Sequence, residues 1–260
     1  MNESVDNIKI AILIVDDNEE ILDFLTDDLS EKYEVYTAVN VKKALEILDK
    51  YTIHLIISDI IMPEMNGYDF CSKIKSNMEY SHIPFIMLTA KNTLHSKIEG
   101  LEKGADAYLE KPFSPEHLQV QITNLLANRS RMKKFFSAYP QANIKNMAHS
   151  YADEKLLIKM NAYILQNIDD TSLDVDKLSE SLYISRPTLY RKIKAVLDLT
   201  PNELINITRL KKAAELLIQG NYSINEISIM VGFSSATHFG RSFLKQFGMT
   251  PSSYVASAKK

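Results

Sequence analysis

Along the first half of the chain, short apolar runs alternate with segments in which apolar residues recur at helical spacing. Ile10–Val15, Val35–Val39, Ile53–Ile57, Phe85–Leu88 and Ala107–Leu109 are short and nearly continuous in apolar residues. That pattern predicts strands of a parallel sheet buried on both faces. Helical patterns separate them, such as Val41, Ala44, Leu45 and Leu48, and a last one with Leu118, Ile122, Leu125 and Leu126 closes the series. Strand–helix units in this order predict an α/β doubly wound fold with a five-stranded parallel sheet. Ligands of such sheets sit beyond the carboxyl ends of the strands, so chemistry is expected there.

From about Asn128 the pattern changes. Residues 128–152 are basic, weakly periodic and interrupted by Pro140, and read as a linker with helical pieces. From Asp153 onward the pattern is helical throughout, which predicts an all-α domain. Val175–Ser181 and Ser185–Val196 form a first helix pair around a tight turn at Leu182–Ile184. Asn225–Val231, ended by Gly232, and Ser234–Gln246 form a second. Ser185 suits an N-cap, with Pro187 in the first turn, where proline is tolerated. Leu189, Ile193 and Val196 make a core stripe, which leaves Arg186, Tyr190, Arg191 and Lys194 on the remaining surface. In the second pair Phe239 and Phe243 are core, with Phe233 and Phe247 flanking. Thr237 and Arg241 fall opposite them with Ser234 and Lys245, and His238 lies at the edge of that face. Between the pairs, Pro201–Gln219 reads as one helix, with proline at its start and Gly220 after its end. Nineteen residues span about 28 Å. Neighbouring major-groove faces of DNA recur every ~34–36 Å, so this helix can space two readers about one turn apart.

Charge sharpens the division. Residues 1–127 carry a net −11 with no arginine, and residues 128–260 a net +8, within a chain of net −3. Such halves suit an acidic site domain joined to a polyanion-binding domain, although two unrelated surfaces would give the same split. A basic, aromatic-bearing helix presented by a turn is the form of a helix-turn-helix reader, and an ordinary solvated helix shares that pattern. No run approaches the ~20 apolar residues that span a bilayer, and Met1 to Ile8 are too polar for a signal peptide. The one cysteine, Cys71, reads as a buried structural thiol. The six histidines lack metal-ligand spacing. Together these features suit a reducing cytoplasm.

The strand ends carry Asp16–Asp17, Asp59, Thr89 and Lys111–Pro112. Three carboxylates crowded at one edge repel one another and call for a cation, and hard oxygen ligands suit Mg²⁺. A lysine and a hydroxyl beside them suit a phosphoryl group.

With LIVDDNEEIL, LIISDIIMPEMNGYDF, FIMLTA and GADAYLEKPF in place, residues 8–127 resemble the flavodoxin-like receiver domain of two-component response regulators. The resemblance implies that Asp59 accepts phosphate from a sensor histidine kinase. It implies that Asp17, Asp59 and the carbonyl of Ile61 ligate Mg²⁺, with Asp16 acting through water. Lys111, on a cis bond to Pro112, and Thr89 would hold the phosphoryl group. Tyr108 would swing inward, small Ala90 would leave room for the donor, and Gly67 would turn the loop after Asp59.

The stretches ISRPTLYRKIKAVLDLTPNELINITRLKKAAELL and INEISIMVGFSSATHFGRSFLKQFGMTPSSY resemble the AraC-type DNA-binding domain, with Asp198 where glycine is usual and Ser228 where alanine is usual. That resemblance places Tyr190, Arg191, Ala236, Thr237, His238, Arg241 and Ser242 toward the major groove of double-stranded DNA, with Arg186 and Lys194 beside them. Together the resemblances imply residues 1–127 as receiver, 128–152 as linker and 153–260 as DNA-binding domain. They describe a transcription factor rather than an enzyme, without membrane contact and with RNA polymerase as a further partner. Phosphorylation would pair receivers through about residues 93–103, strand five and the helix after Pro115; relief of masking by the acidic receiver is the alternative. The same two domains end hybrid sensors, so a free regulator and a piece of a hybrid both fit. A Mg²⁺-dependent aspartyl phosphatase would need a carboxylate where Ile61 stands. An interaction module that is never phosphorylated would not need the full acidic set.

Overall fold

The computed structural model describes residues 9–89, 103–139, 142–148 and 150–258. Ala90 and most of the segment expected to shift on phosphorylation lie outside the described residues. Two compact units meet at residues 129 and 130.

In the first unit, β1 (Ala11–Val15), β2 (Glu34–Ala38), β3 (Leu55–Asp59), β4 (Phe85–Thr89) and β5 (Ala107–Glu110) pair in parallel in the order β2-β1-β3-β4-β5. The doubly wound sheet expected from the pattern is present, with strand ends displaced by one or two residues. β1, β3 and β4 are buried throughout, and the two edge strands are partly exposed. Alternate residues serve two cores. Leu13, Val15, Ile56, Phe85 and Met87 pack with α2 (Val41–Lys50) and α3 (Gly67–Ser76). Ile12, Ile14, Ile57, Ile86 and Leu88 pack with α1 (Glu19–Leu29) and with Leu118 and Ile122 of α4 (Pro115–Ala138). Asn18, Asn40 and Asn66 cap α1, α2 and α3, each side-chain oxygen accepting a backbone N–H of the first turn. Cys71 is fully buried, and burial pushes its thiol up to about 12.

The stretch expected as a linker with helical pieces contains such pieces, and part of it is packed. Its first residues continue α4, Ile144–Met147 form a 3₁₀ turn, and Phe136, Ile144 and Met147 are buried in the core of the second unit. Their apolar spacing is too irregular for periodicity to reveal.

The second unit holds α5 (Tyr151–Gln166), α6 (Val175–Ser181), α7 (Arg186–Leu197), α8 (Pro201–Gln219), α9 (Ile224–Met230), α10 (Ala236–Phe247) and α11 (Pro251–Ala258). The α5–α6–α7 set repeats as α8–α9–α10: N-caps Ser150 and Thr200, and left-handed C-caps Asp198 and Gly248, recur fifty residues apart. Helix α8 serves both cores. Leu204, Ile205 and Ile207 pack with α5 and α7, while Leu210, Ala213, Ala214 and Leu217 pack with Phe239 and Phe243 of α10. Full burial of each such phenylalanine stabilises by about 1.5–3 kcal/mol. Asp198 tolerates its left-handed φ of 59°, and Ser228 fits inside α9 by donating its hydroxyl to the carbonyl of Asn225.

Gly67 owes its place to space rather than to turning: Glu64 takes the left-handed conformation in this loop, with φ 63°. A Cβ on Gly67 would meet the Asp59 carbonyl oxygen at 2.3 Å and Ile60 Cα at 2.8 Å, and both are backbone atoms. The Gly67→Ala variant is therefore expected to lose about 1–3 kcal/mol, read as a lower urea midpoint with unchanged slope. Wild-type stability in that variant contradicts the contact.

Candidate functional site

Strand register builds the acidic site. Val15 pairs with Ser58, so Asp16 and Asp59 emerge side by side from β1 and β3, where the strand order reverses. Thr89 pairs with Glu110, which brings Lys111 just past the end of β4, and the Lys111 backbone N–H donates to the Thr89 carbonyl. The Lys111 ammonium then donates to Asp59 Oδ1 at 2.5 Å and to Asp16 Oδ2 at 2.9 Å. Asp59 Oδ2 accepts the Ile61 backbone N–H at 2.6 Å, and Asp16 Oδ1 accepts that of Asn18 at 3.0 Å. The Lys111–Pro112 bond is cis.

Burial is the main cause of the raised pKa of Asp59. The negative charge of Asp16 adds to it, and Lys111 and the Ile61 N–H act against it. Lys111 is opposed by burial, yet its bonds to Asp59 and Asp16 raise it overall. Two buried carboxylates thus share one ammonium and retain a surplus of negative charge.

Asp17 departs from the expected crowd: its side chain is exposed. Among the described residues no three His, Cys, Asp or Glu side chains converge to hold a metal by themselves. Mg²⁺ keeps several waters and needs only one or two carboxylates, and the adjacent Asp16 and Asp59 carboxylates, both on the Lys111 ammonium, fit that need. Thr89 is buried at the end of β4. Tyr108 is half-buried on β5, and its hydroxyl donates to that of Tyr68 on α3 at 2.7 Å.

On the helical unit, Arg191, Thr237, His238 and Arg241 are exposed, as are Arg186 and Lys194. Arg186 donates to both carboxylate oxygens of Asp176 at 3.1 and 3.2 Å and lies over the Tyr190 ring. Lys194 pairs with Asp198 at 2.8 Å. Tyr190, Ala236 and Ser242 are half-buried, Tyr190 against the core of its own helix set. The His238 ring lies 5.4 Å from that of Phe233, inclined to it by 56°.

Two features escaped the sequence reading. Tyr183, in the turn before α7, is 96% exposed with φ 57°, a strained place for an aromatic; Gly232, with φ 75°, ends the matching helix of the second set. Lys192 is buried and bonded to Asp153; its position three after Leu189 and four before Val196 already placed it in the core stripe. Among the described residues no helix is long and apolar enough to cross a membrane.

Residues 12–123 match the model of the response regulator receiver domain, and residues 178–257 that of a helix-turn-helix domain. Histidine kinase P4 of Formosa agariphila is 42% identical over 246 residues, which are 95% of this chain and 18% of that protein. The response regulator SaeR of Staphylococcus aureus is 35% identical over 175 residues, 67% of this chain and 71% of its own length. A CheY-like response regulator receiver domain protein from Methanospirillum hungatei superposes with a TM-score of 0.45 at 31% identity, over 47% of this chain and 98% of that one. The chain belongs to the two-component response regulators and joins a receiver domain to an AraC-type helix-turn-helix domain.

Proposed function

We propose that this protein is a phosphorylation-regulated transcription factor that accepts a phosphoryl group on Asp59 and reads double-stranded DNA through α7 and α10. The observation that carries the reading is the Asp59 carboxylate, held between Lys111 and the Ile61 N–H beside Asp16. A carboxylate so fixed is a positioned nucleophile for a phosphohistidine donor on a sensor kinase. Lys111 then holds a phosphoryl oxygen, and the Thr89 hydroxyl donates to another. Asp17, Asp59 and the Ile61 carbonyl would hold Mg²⁺, with Asp16 acting through water, and the ion would supply the positive charge that the carboxylates and the phosphoryl group together require. As Thr89 moves toward the phosphate, Tyr108 leaves the Tyr68 hydroxyl and turns inward. Ala90 gives the donor access.

On DNA, Arg191 and Tyr190 read one groove segment, and Thr237, His238 and Arg241 the next, with Ala236 and Ser242 close to the bases. Arg186 and Lys194 contact phosphates after exchanging their carboxylate partners. The protein acts in the cytoplasm, and RNA polymerase is its further partner on DNA. Phosphorylation raises affinity by pairing receivers, because the second DNA-binding domain then meets its site at a raised effective concentration.

An acyl phosphate donor with Mg²⁺ is expected to add one phosphoryl group, seen by intact mass, and Asp59→Asn to abolish it; undiminished labelling of the variant defeats the assignment.

Arg191→Ala and Arg241→Ala are each expected to cost about 1–3 kcal/mol of DNA binding and to relax selection in different half-sites, with steep salt dependence retained. A footprint confined to one groove segment contradicts the two readers.

With beryllofluoride and Mg²⁺ the sedimentation mass is expected to double, with little gain on DNA bearing one site. A monomer that gains on a single site, matched by deletion of residues 1–127, favours unmasking instead.

A further inference from the structure

Lys192 and Asp153 stand apart from the other charged groups of the helical unit. Lys192 lies on α7, directly after Arg191, and Asp153 lies in the first turn of α5. Their side chains are 3% and 0% exposed, with Nζ to Oδ1 at 2.6 Å. A buried ion pair is a poor source of stability, because desolvation of both charges consumes most of the attraction, and apolar replacements of similar volume often do as well. It does supply direction. The other buried side chains of α7 are the apolar Leu189, Ile193, Val196 and Leu197, and apolar burial is non-directional; the Arg186–Asp176 pair at the start of the helix is exposed to solvent and holds direction weakly.

The internal repeat shows what the pair replaces. In α8, Glu203 occupies the third helical position, and its carboxylate accepts the N–H of its own N-cap, Thr200, at 2.8 Å. Asp153 holds the same position in α5, and its N–H donates to the N-cap Ser150 Oγ at 3.1 Å. Its shorter carboxylate turns across to Lys192 instead. Fifty residues after Lys192, the corresponding place on α10 is the half-buried Ser242. That helix is seated by rings: Phe239, Phe243, Phe247 and Tyr254 lie in successive contact, with centroids 5.7, 4.8 and 6.3 Å apart along the chain order. Both helices rest on apolar side chains, and α7 adds a buried ion pair where α10 carries Ser242.

We propose that the buried Asp153–Lys192 pair is a positioning device that sets the rotation of α7 about its own axis, and with it the base selection of the first half-site. Neither residue touches DNA. A helix with its side chains is about 10–12 Å across, so a rotation of about 20° displaces a surface group by roughly 2 Å. A hydrogen bond to a base edge does not survive that displacement. Loss of the pair loosens selection by Arg191 while leaving phosphate contacts, and so the salt slope, in place. The inference rests on α7 being a reader.

The test uses the full chain and duplex libraries in which the first and second half-sites are randomised separately. Wild-type protein comes first: if it selects nothing at the first half-site, α7 is not a reader, and that failure concerns the proposed function as well as the device. Given wild-type selection there, Asp153→Leu with Lys192→Met removes both charges at similar volume. The double variant is expected to keep its far-ultraviolet circular dichroism and its salt slope, to lose about tenfold in discrimination at the first half-site, and to keep its discrimination at the second. Unchanged discrimination at the first half-site overturns the proposal, and so does equal loosening at both. Should the double variant fail to fold, the same-sized Asp153→Asn carries the same comparison, with the same two overturning results.

Discussion

Lys111 answers two carboxylates at once, and the receiver is arranged around that shared bond. Asp16 and Asp59 converge because β1 and β3 pair in parallel with Val15 opposite Ser58. Lys111 reaches them because β5 lies beside β4 with Glu110 opposite Thr89. A one-residue slip of any of these strands would turn a site residue to the opposite face of the sheet. The apolar alternation that fills the two cores is what forbids the slip. The site is thus held by residues that carry no charge, and Lys111 leaves its negative surplus only partly offset.

The helical unit solves a different problem: keeping α7 and α10, the two proposed readers, in a fixed relation. Its device is α8, whose first half belongs to one core and whose second half to the other. Arg209, near the middle of this helix, donates to the carbonyl of Asp170 at 2.6 Å. A Cβ at Gly232 would strike the carbonyl of Ile168 at 2.4 Å and the Arg209 guanidinium at 2.9 Å. The turn of the second helix set is therefore fitted against α8 and the loop after α5, and only a glycine leaves the room.

Strand runs, the Ser185 cap and the polar strand ends were legible because each follows from local pattern: nearly continuous apolar runs, serine before a helix, polar residues where a run stops. Phe239 and Phe243 were legible as core for the same reason. Distance in sequence hid the rest. Nothing near Asp17 says that its side chain stays exposed while Asp16 turns inward. Gly67 looked like a turn residue, yet what excludes a side chain there is the backbone of residues 59 and 60, folded back on it. The burial of Phe136, Ile144 and Met147 depends on a core assembled from helices that follow them. Lys192 lay in the apolar stripe in plain view, but its partner is 39 residues earlier, and only the fold brings the two together.

Helix α8 also limits how the proposed readers can diverge. Each residue added to an α-helix advances it by 1.5 Å and turns it by about 100°. A single insertion would therefore swing one reader off the DNA face that the other occupies, long before the change in distance mattered. Three or four residues restore the angle and lengthen the spacer by about one turn, 5.4 Å. Half-site spacing in relatives built on this plan is then quantised by helical geometry, while base preference can drift one side chain at a time on α7 and α10.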